Sequence, residues 1–203
     1  MMTHKRTTDR TLRCGVVRLL MSGLIVAVFG VGCGVATVSD PLTIEYGGNG
    51  LDSQLEFWHR LASRPVTCND EAFHGLLLYI DNEDSTEDYA GRVEALRARH
   101  MLPKGFDRPA EEAVLRGTIA YAIVRMLDIR GGLVMSTFGP SPRYATRELQ
   151  HMKLYPPSSP HQTFSGTEFL GIIGRVEDFQ RLEDAKADQH GKGDESGQSP
   201  PQG

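Results

Sequence analysis

Cysteine is scarce in this chain, with three in 203 residues, at Cys14, Cys33 and Cys68. The first two fall in an N-terminal segment that reads as a targeting signal, so Cys68 stands alone in the remainder. A lone thiol excludes an internal disulfide, and the fold must stand on packing. Paired cysteines at metal-ligand spacing, a nucleophile elbow and a phosphate-cradling glycine loop are all missing. The usual zinc-site, hydrolase and nucleotide-binding readings therefore find no support, and no cofactor is assigned. Charge is also missing from Leu19 through Ser39, a gap of 21 residues.

What precedes that gap is basic. Lys5, Arg6, Arg10, Arg13 and Arg18 face a single acid, Asp9, and the gap itself contains the apolar run Leu24 to Phe29. A basic stretch followed by an apolar one is the pattern of a secretory signal, so residues 1–33 are predicted to direct export. The run Gly30-Val31-Gly32-Cys33 resembles a bacterial lipoprotein lipobox. That resemblance implies acylation of Cys33 and attachment to the membrane of a bacterial envelope, on its periplasmic or surface face. Cleavage near Ala36 and retention as an uncleaved anchor are the two other outcomes, since 21 uncharged residues at roughly 1.5 Å each just span a bilayer.

Loss of the first 33 residues removes five of the 22 basic side chains and one of the 26 acidic ones, leaving a net charge of −8. Such a surface repels phosphate backbones, so nucleic acid is not an expected partner. From Arg181 to Gly203 the one large aliphatic residue is Leu182, and the stretch reads as a disordered tail because it buries too little to offset chain entropy. Residues 34–50, with Gly47, Gly48 and Gly50, read as a flexible tether. One domain over 51–180 remains.

That domain is predicted to be all-α, a compact array of about six short helices. Ser53 to Glu56 forms a capping-box pattern, followed by Leu55, Trp58 and Ala62. A second helix starts near Thr67, with Phe73, Leu76, Leu77 and Ile80 at the spacing that places four side chains on one face. A third carries Tyr89, Val93, Leu96 and His100. A fourth is placed at Pro109 to Asp128, with Pro109 as its first residue and Ile119, Ala122, Ile123 and Met126 on one face. Residues 133–138, LVMSTF, fit either a short strand or a helical turn. A fifth helix starts at Pro142, and a sixth follows the capping box Ser165 to Glu168.

Two stretches align without gaps, 94–103 and 147–156, matching at Leu96 with Leu149, Met101 with Leu154 and Pro103 with Pro156. Further on, Gly117-Thr118 corresponds to Gly166-Thr167, so each copy is helix, proline-bearing loop, helix. The motifs Gly105-Phe106 with Val114 to Gly117, and Phe164 to Phe169, resemble the S-layer homology domain over 89–127 and 142–175. The resemblance implies helix-loop-helix repeats that bind a cell-wall polymer, with Arg116 at the position of the motif arginine. The equivalent loops supply the candidate contact residues: Lys104, Gly105, Phe106, Asp107 and Arg108 in one, Ser158, His161 and Gln162 in the other.

One pattern points elsewhere. Glu-x-x-His occurs at Glu56 and His59, Glu71 and His74, and Glu148 and His151. The spacing places both ligands on one helical face, and two such pairs with two more glutamates form the di-iron site of ferritin-like bundles. Glu71, His74, Glu148 and His151 are thus the metal candidates of a rival reading, a small metal-dependent enzyme. Cys68 falls in the first turn of a helix, whose dipole lowers a thiol pKa. The leading expectation is an exported, membrane-tethered envelope lipoprotein whose helical module binds an envelope protein or polymer.

Overall fold

A computed structural model of the chain describes residues 35–195. The signal segment, the acylation candidate Cys33 and residues 196–203 lie outside the described residues. The architecture is all-α: α1 Thr43–Tyr46, α2 Leu51–Ser63, α3 Asn69–Asp81, α4 Tyr89–Ala98, α5 Arg116–Met126, α6 Leu133–Phe138, α7 Pro142–His151 and α8 Gly166–Glu195. Among the described residues no helix is long and apolar enough to cross a membrane.

Local chemistry sets most of these starts. The Cys68 amide donates to Glu71 Oε2 at 3.1 Å to open α3, and Asp88 accepts from the Gly91 amide at 2.8 Å to open α4. Pro142 follows the cap Ser141 at the head of α7. Ser165 and Glu168 exchange bonds at the head of α8, with Ser165 N–H to Glu168 Oε2 at 2.9 Å and Glu168 N–H to Ser165 Oγ at 3.3 Å. The periodic stripes then close over one another: Phe73, Leu76 and Leu77 of α3, Ile119 and Ile123 of α5, and Phe169, Ile172 and Val176 of α8 are all buried. Each such side chain contributes about 1.5–3 kcal/mol.

Three helix-loop-helix units are present, where the sequence alignment shows two: α2–α3, α4–α5 and α7–α8. The stretch ahead of each second helix is extended, and the three stretches pair at a common centre. Thr67 N–H donates to Phe164 O at 3.0 Å, Val114 N–H to Thr67 O at 3.0 Å and Arg116 N–H to Gln162 O at 2.8 Å. Each helix start also takes carbonyls from another unit's loop, which satisfies amides a helix leaves orphaned. Asn69 and Asp70 of α3 donate to Glu112 and Ala110, Gly117 of α5 to Pro160, and Gly166 of α8 to Arg64. Helix packing follows the same order, α3 on α4, α5 on α7 and α8 on α2, so the three units close into a ring.

The two aligned copies also end their first helices alike. His100 and Lys153, equivalent in the alignment, both adopt left-handed backbone with φ of 57° and 63°. Met101 N–H then reaches Leu96 O, and Leu154 N–H reaches Leu149 O, each at 2.9 Å. Gly166 is required by the third contact of the ring: a Cβ there would lie 1.5 Å from Leu61 O.

Of the two readings open for residues 133–138 the helical one holds: they form α6, and the turn satisfies its own amides, as in Ser136 N–H to Gly132 O at 3.1 Å. Four expectations are corrected. Residues 109–115 are extended and α5 starts at Arg116, because bridges to Thr37, Cys68 and Thr163 outbid the helical propensity of this Glu- and Ala-rich stretch. The tether is not free over 36–46: Val38 and Leu42 are buried, and Ala113 N–H donates to Ala36 O at 2.8 Å. The tail is helical through Glu195, supported by pairs such as Lys186 with Glu183 at 2.7 Å. Helix α2 starts at Leu51, two residues before the expected box, and Glu56 pairs with Arg60 at 2.6 Å instead.

Candidate functional site

The two loops singled out in the sequence meet. Between the second and third units lies a cleft of about 460 Å³ lined by Pro103 to Arg108 on one side and by Ser141 to Arg143 with Pro160 and His161 on the other. Leu115, Gly117 and Thr118 at the head of α5 form its floor. Gly117 has no alternative there: a Cβ would come within 2.9 Å of Pro142 Cβ and 3.0 Å of Pro160 Cβ and O. Prolines at 103, 142 and 160 give the cleft fixed walls at little entropic cost.

The candidate contact residues divide. Lys104, Gly105, Phe106, Asp107, Arg108 and His161 line the cleft. Phe106 also anchors its loop, its ring packing on Phe73 at 5.4 Å between centroids, and Arg108 is paired with Glu112. Among the described residues, Lys104 and Arg143 have no ion-pair partner, so the cleft keeps two uncommitted cations against Asp107. Arg143 was not singled out in the sequence, for one surface arginine at the head of a helix carries no signal by itself.

Three candidates brace the scaffold instead. Arg116 is buried, donates from Nε to Thr163 O at 3.0 Å, pairs with Glu168 and stacks 4.9 Å above the Phe164 ring. It ties the second unit to the third and presents nothing to a ligand. A backbone bond from Ser165, together with Arg116, holds the Glu168 carboxyl below its usual range. Ser158 O accepts from Gln150 Nε2 at 2.7 Å and Gln162 Oε1 from the Ser159 amide at 2.9 Å, which stiffens the 156–164 loop.

A second polar constellation is buried between the first two units. Arg92 donates from Nε to Asp84 Oδ2 at 2.6 Å and from Nη1 to Asp70 Oδ1 at 2.5 Å. His74 Nδ1 meets Asp84 Oδ2 at 2.7 Å, with its ring edge-on to Phe57, and its Nε2 has no hydrogen-bond partner among the described residues. Thr86 donates through its amide and hydroxyl to Asp84 Oδ1. Burial pushes the Asp84 carboxyl up, but the bonds from His74, Thr86 and Arg92 together outweigh it and hold the group well below the usual carboxylate range. Residues 36–46 cover this network, Leu42 N–H donating to Glu71 Oε1 at 3.1 Å and Thr43 Oγ1 to Asp70.

The Glu-x-x-His pairs do not converge. Among the described residues no three His, Cys, Asp or Glu side chains are placed to hold a metal ion. Glu71 instead accepts the Leu42 and Cys68 amides and faces Arg64 at 3.4 Å, while Glu148 accepts from the Gly132 amide at 3.4 Å and His151 is exposed. The rival reading loses its donor set.

Cys68 is buried, and its surroundings reverse the dipole argument. Burial first, then the Glu71 carboxylate, push the thiol up to about 12. Cys68 in a chain beginning at Ala36 is therefore expected to resist a thiol-disulfide reagent at about pH 8 for hours and to react within minutes in denaturant. Rapid labelling of the folded chain would contradict this placement.

Compared with protein-family models, with curated proteins and with solved structures, the chain gives no match.

Proposed function

We propose that this chain is an exported, membrane-anchored module of a bacterial envelope that binds an extended segment of an envelope polymer or protein in the cleft between its second and third units. The observation that carries this is the meeting of two sequence-equivalent loops around a rigid, glycine-floored cleft with uncommitted Lys104 and Arg143 at its rim. The basic leader, the lipobox-like Cys33 and the likeness to S-layer homology repeats supply the setting.

The test is cosedimentation with isolated envelope material. The natural chain is expected to pellet with it, and Arg143→Glu combined with His161→Glu is expected to weaken capture about tenfold or more, through charge reversal at the rim. Both positions are surface sites, so melting should stay within a few degrees of the parent. Unchanged capture by the folded double variant would remove the cleft from the binding surface.

A further inference from the structure

A second cleft, of about 430 Å³, lies on the other side of the Pro103–Gly105 turn. Arg97, His100, Lys104, Tyr121 and Arg125 supply its polar lining, and no acidic side chain contributes to it. That is unexpected on a chain in which 26 acids outnumber 22 bases. Gathering cations without counter-charge is unfavourable unless something anionic completes the site.

Its cations are held in place by the backbone. The left-handed turn at His100 presents a carbonyl that accepts from Arg125 Nε at 3.2 Å, and Phe106 O accepts from Arg97 Nη2 at 3.4 Å. The Arg125 guanidinium is thus fixed by one donor with its others left for a ligand, while Arg97 gives one terminal nitrogen to Phe106 O and the other to Glu94. Arg97 has Glu94 at 3.0 Å, but both side chains of that pair are more than half exposed. Among the described residues Arg125 and Lys104 have no ion-pair partner. Two planar forks beside an ammonium match an oxyanion's geometry. Lys104 lines this cleft and the interunit cleft alike.

We propose that the second cleft holds a phosphate-type oxyanion carried on a linear anionic chain, which crosses the Pro103–Gly105 turn into the interunit cleft with Lys104 shared between them. This inference rests on the interunit cleft being the partner site. It is tested by titrating the full-length chain in mild detergent at low salt with inorganic phosphate, tripolyphosphate and an oligogalacturonate bearing carboxylates alone.

Saturable binding of tripolyphosphate is expected, tighter than that of the carboxylate chain. Arg125→Gln and Arg97→Gln are each expected to weaken it about tenfold, Arg143→Gln to weaken tripolyphosphate while sparing inorganic phosphate, and Lys186→Gln on the outer face of α8 to change neither. Absence of saturable binding, equal loss in Lys186→Gln, or preference for the carboxylate chain overturns the inference. So does loss in Arg143→Gln with Arg125→Gln unaffected, which would confine the anion to the interunit cleft and leave the functional reading intact. Phosphate binding that depends on Arg125 in a chain that captures no envelope material sustains the second cleft and removes the functional reading instead.

Discussion

Replacing Arg92 by methionine is expected to destabilise the domain by about 3 to 5 kcal/mol, the usual cost of removing one partner from a buried ion pair. Arg92 is 4% exposed and is the cation that both Asp70 and Asp84 address. Without it two carboxylates stay buried, and the hydroxyls of Thr43 and Thr86 bring no charge to neutralise them. Urea denaturation reads the effect directly, and a loss below about 1 kcal/mol would mean that water or backbone relaxation already solvates the pair. The same network predicts acid sensitivity. Because the folded state holds the Asp84 carboxyl below its ordinary range, its contribution is complete above about pH 4, the unfolded value, and is lost as pH falls beneath that. In the Arg92→Met protein this acid-dependent loss is expected to be smaller, since one of the bonds that lowers Asp84 is gone and the folded and unfolded values lie closer together.

Starting the chain at Gly47 rather than Ala36 is expected to cost about 3 to 6 kcal/mol, from two buried aliphatic side chains and the polar groups they cover. Val38 and Leu42 are each 8% exposed, so both lose their burial. Glu71 loses the Leu42 amide, Asp70 loses the Thr43 hydroxyl, and the amide of Ala113 loses Ala36 O. The measurement is the urea midpoint of the two chains compared at equal slope. Identical midpoints would show that residues 36–46 rest on the domain without supporting it. Leu42→Ala, expected to cost about 2 to 3 kcal/mol in the longer chain, separates the apolar share from the polar one.

Where the chemistry is local, the sequence is readable. The periodic stripes of α3 and α8, the proline at the head of α7 and the box Ser165 to Glu168 are satisfied within a few residues, so composition and spacing suffice. The stretch 109–115 shows the limit. Its letters favour helix, yet its amides and carbonyls are claimed by Thr37, Cys68 and Thr163, partners that lie as far as 75 residues away. The first unit escaped recognition for a related reason: Cys68, Asn69 and Asp70 share no side chains with Leu115, Arg116 and Gly117, and the equivalence lies in backbone pairing. At the cleft, the lining loops were legible through the alignment, whereas the bracing role of Arg116 depends on Glu168 and Phe164 of another unit.

Ring closure sets the order in which this molecule acquires stability. The carbonyls of Ala62 and Arg64 wait for α8, whose Gly166 amide reaches Arg64 O and whose Thr167 hydroxyl reaches Ala62 O across 105 positions of chain. No single unit, and no adjacent pair, has all its neighbours until the last one is in place. An open array of repeats frays from terminal members and tolerates trimming. A closed circle of three has no terminal member, so during synthesis the early units remain adhesive until the final helix arrives, and the finished domain yields as one piece or not at all.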